Sequence, residues 1–349
     1  MKPAWLCVLA LGFVACEGAK SDGSGAGAAP QTMKVVDAFV NTPVYFKDGD
    51  NQRKIDADVA FPDRGPWKEV NLHIELRCPD GKCDWWDRWA YIGVVNGETR
   101  ESPVTEILRF ATPFRVGASL SADVTALQPL LAGKKRLRVF IDTWVGPGHV
   151  NGNGWLVDAS FTFVPGTPAR LPIAVLPVFD VASFEAGNPL KPIATSVPPK
   201  QVQIPANAGA VELHSFITGH GQGNLDNCAE FCPKTHSYTF DGKRSFDKRI
   251  WRDDCLTTSV QPQGGTWMYP RAGWCPGAVA QPWVEDISSA VGAGAAVTIA
   301  YAPEPYENTC RPDSAMCVGC VRGGPCMYDD SQHTAPSYAQ SALLVVYAR

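Results

Sequence analysis

The sequence predicts an all-β protein of antiparallel sandwiches or jelly rolls, and three observations carry that prediction. Short apolar runs alternate with polar residues at a period of two, which marks strands buried on one face. No segment carries a sustained helical period. Pro and Gly, 29 and 32 of the 349 residues, break the chain at the short intervals expected of many strands joined by turns.

Taken in order, residues 1–16 read as a targeting signal. Lys2 supplies the charge, and residues 4–15 are apolar but too short to span a bilayer as a mature helix. Phe13-Val14-Ala15-Cys16 has the form of a lipobox, which would lipidate Cys16 and hold the protein on a bacterial envelope as a secreted lipoprotein. Phe13 stands where leucine is commoner, so ordinary signal cleavage is the other reading. Residues 17–33 are rich in Gly, Ala and Ser and read as a flexible tether.

Residues 34–166 are expected to form a first β domain. Val70, Leu72, Ile74 and Leu76 alternate with Asn71, His73 and Glu75 in a clear half-buried strand. Further strands are expected at 90–95, 107–110 and 137–141, and around Phe161 and Phe163. Residues 124–131 suit one or two helical turns. Gly166-Thr167-Pro168 is a break between strand-rich halves, and residues 167–349 form the second expected domain. Its strands fall at 173–179, 211–217, 235–240, 296–300 and 342–347, with Asp241-Gly242 as a hairpin turn.

Composition narrows the function. A formal charge of −4 leaves no electrostatic footprint for nucleic acid. Of the twelve cysteines, Cys7 lies in the signal and Cys16 at the anchor. The others are even in number, and an oxidising compartment makes disulfides their default. Cys78 and Cys83 close one short loop, Cys228 and Cys232 another. Cys310, Cys317, Cys320 and Cys326 occupy a Gly/Pro/Asp-rich insert. They offer only thiolates in a compartment unsuited to zinc, so two disulfides that staple a coreless loop are expected there.

The densest chemistry lies in residues 78–89, CPDGKCDWWDRW. A core strand would not tolerate so many charges, and a solvated loop would not spend three tryptophans. The mixture suits a cleft wall with flat apolar faces, a carboxylate and an arginine. Two other stretches extend it: CAEFC at 228–232, which presents Glu230, and YPRAGWCPG at 269–277, which places Arg271 and Trp274 beside Cys275.

Together these three stretches resemble the peptide-N-glycosidase F family, bacterial amidases that remove N-linked glycans from glycoproteins. EILRFATPFRVGA at 106–118 and GTP at 166–168 add to the likeness, which runs from about residue 35 to the C-terminus. The resemblance implies two adjacent eight-stranded jelly rolls and a Cys255–Cys275 disulfide. It implies hydrolysis of the glycosylamine amide of N-linked glycoproteins and glycopeptides, without cofactor or metal. Asp87 falls at the family's principal catalytic aspartate and Glu230 at its supporting glutamate. Asp142 stands where the family has a glutamate before Thr-Trp. It is one methylene shorter, and a misplacement of ~1 Å at a catalytic group can cost about a hundredfold in rate.

The chemistry agrees with these residue types. Amide hydrolysis needs a base for water, an acid for the departing nitrogen and donors for the oxyanion. Asp87 is the expected base, with Glu230 assisting the proton that reaches the leaving group. Arg88 and Arg271 are expected to hold the carboxylates and stabilise negative charge. Trp86, Trp144 and Trp274 are expected to stack on sugar rings, with packing beneath the cleft as the alternative for Trp274. His220, in FITGHGQG at 216–223, takes the place of a family tryptophan and is expected to touch substrate. Two rival functions remain: a glycan-binding surface lipoprotein without catalysis, and a copper monooxygenase-like protein using His214, His220 and His236.

Overall fold

The computed structural model describes residues 32–63, 65–221, 229–308 and 336–349. The targeting signal, Cys16, most of the tether, Cys228 and the cysteine-rich insert lie outside the described residues. Residues Thr32–Arg349 belong to one compact unit.

Nine strands precede Gly166: β1 (Lys34–Lys47), β2 (Asp50–Gln52), β3 (Lys54–Phe61), β4 (Trp67–Arg77), β5 (Trp89–Val95), β6 (Val104–Ala111), β7 (Ala118–Asp123), β8 (Gly133–Ile141) and β9 (Trp155–Pro165). They form a five-stranded sheet ordered β2-β1-β9-β4-β7 and a four-stranded sheet ordered β3-β8-β5-β6. Eight more follow: β10 (Pro172–Glu185), β11 (Lys200–Gln203), β12 (Ala210–His220), β13 (Lys234–Phe240), β14 (Arg244–Ile250), β15 (Trp283–Asp286), β16 (Ala296–Pro303) and β17 (Ser337–Tyr347). These make two four-stranded sheets, β10-β17-β12-β15 and β11-β16-β13-β14. All the ladders between these strands are antiparallel. The all-β expectation holds. Among the described residues the first half has nine strands instead of eight, because the three-residue β2 folds back on the end of β1. The helical expectation near residue 124 reduces to a single 3-10 turn, Thr125–Leu127.

Alternation builds the cores. Val70, Leu72, Ile74 and Leu76 of β4 are fully buried with Phe161 and Phe163 of β9 and with Ile92, Leu137 and Val139 of the facing sheet. Each such side chain contributes roughly 1.5–3 kcal/mol by leaving water. Polar Asn71, His73 and Glu75 point the other way.

β6 breaks the alternation, since all eight of its residues are buried. Between Ile92 and Gly93 of β5 the pairing register slips, and the extra residue, Ile107, bulges out of β6. The bulge brings Glu106 and Arg109, three apart, to one side of the strand. Gly93 sits opposite because a Cβ there would lie 2.4 Å from Val104 and 2.6 Å from the Thr105 carbonyl. Arg109 grips Glu106 with two hydrogen bonds of 2.8 and 2.7 Å. Such a pair is tolerated in a protein interior only when its remaining donors and acceptors are filled. The second half fills them: Arg109 also donates to Thr218 Oγ1 at 3.1 Å, and Ser341 donates to Glu106. The far edge of β6 is closed by residues 277–280 through bonds from Ala111 N to Ala278 O and from Ala280 N to Arg109 O. β6 is therefore the seam between the two halves.

Candidate active site

Strand ends assemble the site. β5 and β8 are antiparallel, with Ala90 opposite Ile141, and Trp89 of β5 lies opposite Ala111 of β6. Residues just before β5, just after β8 and just after β6 therefore meet at one end of the sheet. They are Asp87 and Arg88, Asp142 and Thr143, and Thr112. Lys54 opens β3 opposite Phe140, which brings Arg53 to the same end. In the second half, β12 ends at His220, Glu230 precedes β13, and Arg271 bonds to Arg252 just beyond β14 through N–H to O contacts in both directions.

The 78–89 loop is held by Asp84, which is fully buried. Its carboxylate accepts from Arg88 Nε at 2.8 Å, from Thr143 Oγ1 at 2.7 Å and from the Trp86 backbone N–H at 3.0 Å. The last bond is an Asx turn that presents the two following residues. Arg88 N–H donates to Thr112 Oγ1, and Thr112 N–H donates back to the Arg88 carbonyl. The Cys78–Cys83 disulfide closes the preceding turn.

On the opposite wall, Arg271 is fully buried and gathers both carboxylates. Its Nε donates to Glu230 at 3.0 Å, and its Nη2 donates to Asp87 at 3.3 Å. Nη2 also reaches Thr266, and Nη1 reaches the Tyr269 carbonyl. Its plane is flanked by Phe231 and Trp274, with centroids 5.1 and 5.0 Å away. The Cys255–Cys275 disulfide ties the long loop carrying Thr266, Tyr269 and Arg271. Gly219 lets the Glu230 segment close down, because a Cβ there would lie 2.2 Å from the Ala229 carbonyl. Cys232 is itself disulfide-bonded.

Burial raises the pKa of both carboxyls above the ordinary range, and Arg271 opposes it. Arg88 adds its pull on Asp87, and the neighbouring Asp87 charge pushes Glu230 further up. Two carboxyls on one guanidinium, both raised, favour a state with one proton between them.

Other expected residues divide. Asp142 joins a separate grip: Arg53 Nη1 donates to it at 3.2 Å, and the Trp89 and Trp144 side chains lie beside it. Burial raises its pKa while Arg53 and Arg88 pull it down. Arg53 also lies over Trp144, 4.1 Å from the ring centroid. Trp86 and Trp144 stand on the rim, 51% and 50% exposed, with apolar area open to a ligand. Two expectations need correction. Arg88 pairs with Asp84 and forms no ion pair with Asp87 or Glu230, so it acts on Asp87 through its field. Trp274 is 3% exposed, its indole N–H is spent on the Gly219 carbonyl at 2.7 Å, and Arg271 and His220 pack against its ring. It belongs to the packing beneath the cleft.

His220 is partly buried between Trp89 and Trp274. The three histidines of the copper reading bond to different partners: His214 to Glu212, His220 to Thr218 and His236 to Tyr301. Among the described residues no group of three or more His, Cys, Asp or Glu side chains is placed to hold a metal ion. Arg53, Asp84, Thr143 and Thr266 are not among the site residues expected from the sequence. Asp84 and Arg88 carried a local signal, opposite charges four apart beside three tryptophans. Arg53 and Thr266 carried none.

The fold and site define a class: a two-sandwich β protein that holds a carboxylate pair on a buried arginine, an arrangement that can activate water and steady an oxyanion. Comparison with known proteins narrows it. Family models of peptide-N-glycosidase F match here, the N-terminal one over residues 89–154 and the C-terminal one over residues 191–320. A curated relative, peptide-N(4)-(N-acetyl-beta-D-glucosaminyl)asparagine amidase F of Elizabethkingia miricola, is 31% identical over 297 residues, covering 77% of this chain and 80% of its own. The solved structure of PNGase F, a glycosylasparaginase from Flavobacterium meningosepticum, superposes with a TM-score of 0.71 at 23% identity, over 91% of this chain and 96% of the other. PNGF-II has a TM-score of 0.65 at 17% identity, over 91% of this chain and 65% of its own. The chain belongs to the peptide-N-glycosidase F family.

Proposed function

We propose that the protein hydrolyses the amide bond joining an N-linked glycan to asparagine in glycoproteins and glycopeptides. The observation that carries this is the geometry of two carboxyls, Asp87 and Glu230, both bonded to the single buried guanidinium of Arg271. Asp87 takes a proton from water as its oxygen attacks the side-chain carbonyl carbon. Arg271 and the loop donors offset the negative charge that develops. The C–N bond breaks, the nitrogen leaves on the glycan as a glycosylamine with a proton supplied through Glu230, and asparagine becomes aspartate. Trp86 and Trp144 supply apolar faces for sugar rings. The reading also includes a domain division near residue 166 and residence outside the cytoplasm, with a lipid anchor at Cys16. The paired disulfides on either side of the cleft support the oxidising compartment.

A glycopeptide digest in water enriched in heavy oxygen, read by mass spectrometry, tests the reaction. An intact glycan, with asparagine converted to labelled aspartate, is the expected product. Cleavage between the two core sugars would overturn the role given to Asp87. Retention of uncleaved glycopeptide would favour a binding protein.

The pH profile follows from the same pair. Asp87 works ionised, so rate falls as pH drops through its raised pKa. Glu230 works protonated, so rate falls again as pH climbs through its own. Both limbs should lie above the ordinary carboxylate range of about 4, and an acid limb at that ordinary value would contradict the assignment. Arg53→Met should lower kcat/KM by about ten- to a hundredfold, since it frees Asp142 and uncovers one side of Trp144. Unchanged steady-state kinetics on a labelled glycopeptide would show that Asp142 needs no fixed position.

A further inference from the structure

We propose that His220 is a fixed neutral hydrogen-bond donor to the bound glycopeptide, its Nδ1–H kept free because a buried Arg109–Thr218 pair occupies Nε2. The inference deepens the glycan-hydrolase reading and rests on it for the ligand, an oxygen acceptor of the glycan near the scissile amide.

The argument is one of satisfied donors. Arg109 can only donate. It spends two nitrogens on Glu106 and donates from Nη1 to Thr218 Oγ1 at 3.1 Å. Thr218 Oγ1 lies 2.7 Å from His220 Nε2. Thr218 is 1% exposed, and its hydroxyl hydrogen has no other acceptor among the described residues. Were Nε2 to carry a proton, that hydrogen would be buried and unpaired, against the strong rule that such groups find partners. With Thr218 donating to Nε2, both atoms of that buried contact are satisfied, and the imidazole proton lies on Nδ1. A charged ring would also need a proton on Nε2. Burial and the nearby Arg109 and Arg271 push the His220 pKa down to about 3, so the ring stays neutral.

Its place is set as firmly as its tautomer. The ring lies 5.9 Å from that of Trp89 and 5.2 Å from that of Trp274, centroid to centroid. Trp274 in turn lies against Arg271, which holds both carboxylates. Nδ1 has no hydrogen-bond partner among the described residues. A donor of fixed position and charge, one ring away from the reacting pair, suits recognition of an oxygen acceptor. Arg109 and Thr218 then act as positioning residues, and the seam between the sandwiches governs a group in the cleft.

The test begins on the free, full-length protein. Long-range nitrogen–proton NMR of labelled histidine should show His220 protonated on Nδ1 and unmoved between about pH 5 and 8. An Nε2-protonated ring, or titration in that window, would overturn the lock. Thr218→Val should mix the tautomers and raise KM for a labelled glycopeptide about tenfold, the worth of one hydrogen bond, with kcat changed less. Thr218→Ser should lose less. His220→Asn places an amide nitrogen close to where Nδ1 lies and should bind better than His220→Gln, whose amide sits nearer the Nε2 position. Equal KM in the Thr218→Val, His220→Gln and native proteins would overturn the donor role. If no glycopeptide is cleaved at all, the NMR result still decides the tautomer, and binding of intact glycopeptide replaces KM.

Discussion

Asp87→Asn should cut glycan release by about a hundred- to ten-thousandfold, while the protein unfolds at an unchanged or slightly higher temperature. The two halves of this expectation come from one fact. Burial has already pushed the Asp87 carboxyl up against the pull of Arg271 and Arg88, so the ionised side chain carries an uncompensated desolvation cost. Asparagine has the same shape and no charge. It can still accept the Arg271 hydrogen bond through its amide oxygen, and Arg271 keeps Glu230 and Thr266. It has no basic site for the proton of the attacking water, and a positioned general base contributes about a hundred- to ten-thousandfold. Single-turnover cleavage of a labelled glycopeptide, with thermal unfolding beside it, measures both. Full activity in a folded Asp87→Asn protein would falsify the assignment.

Arg271→Met should remove activity and stability together. The side chain is fully buried and is the shared counterion of Asp87 and Glu230. Removing one partner of a buried ion pair typically costs about 3–5 kcal/mol, because the other charge is left unpaired. In a protein of this size that corresponds to a fall in Tm on the order of 10 °C. Arg271→Lys should recover little, since an ammonium cannot reach both carboxylates in the fork geometry of a guanidinium. Neutralising the carboxyls in the Arg271→Met background, with Asp87→Asn and Glu230→Gln, should return much of the lost Tm but none of the rate. Strictly additive losses in that series would show that Arg271 does not bridge the pair.

The sequence made the fold legible wherever one strand face is solvated and the other packed. The 70–76 alternation became β4, and the buried residues of that strand are the expected ones. It was less legible where a strand is buried on both sides. Residues 107–110 were expected as a strand, but β6 is longer, and the bulge at Ile107 that aims Glu106 and Arg109 across the seam has no mark in a single sequence. Strand β1 and the edge strands β3 and β7 carry no such mark; β1 is irregular, with two register shifts against β9. Asp87, Glu230 and Arg271 were legible because each lies in a dense cluster with cysteine and aromatic neighbours. Arg53 stayed hidden because its partner, Asp142, is 89 residues away and only the antiparallel β3–β8 ladder joins them. For Trp274 both readings stood open because the same residue type serves a sugar platform and a core, and its burial and its indole bond to Gly219 favour packing.

The position of β17 orders events in time. It is the last strand along the chain, yet it lies inside its sheet, paired on one side with β10 and on the other with β12. The strand that ends at His220 is paired with β15 only over Glu212–Ser215, and it gains a partner along its whole length only when β17 has been made. Ser341, which completes the Glu106–Arg109 seam, arrives with the same strand. A growing chain carries Asp87, Glu230 and Arg271 before residues Ser337–Tyr347 have been made, so the seam behind the site closes only after all three are present.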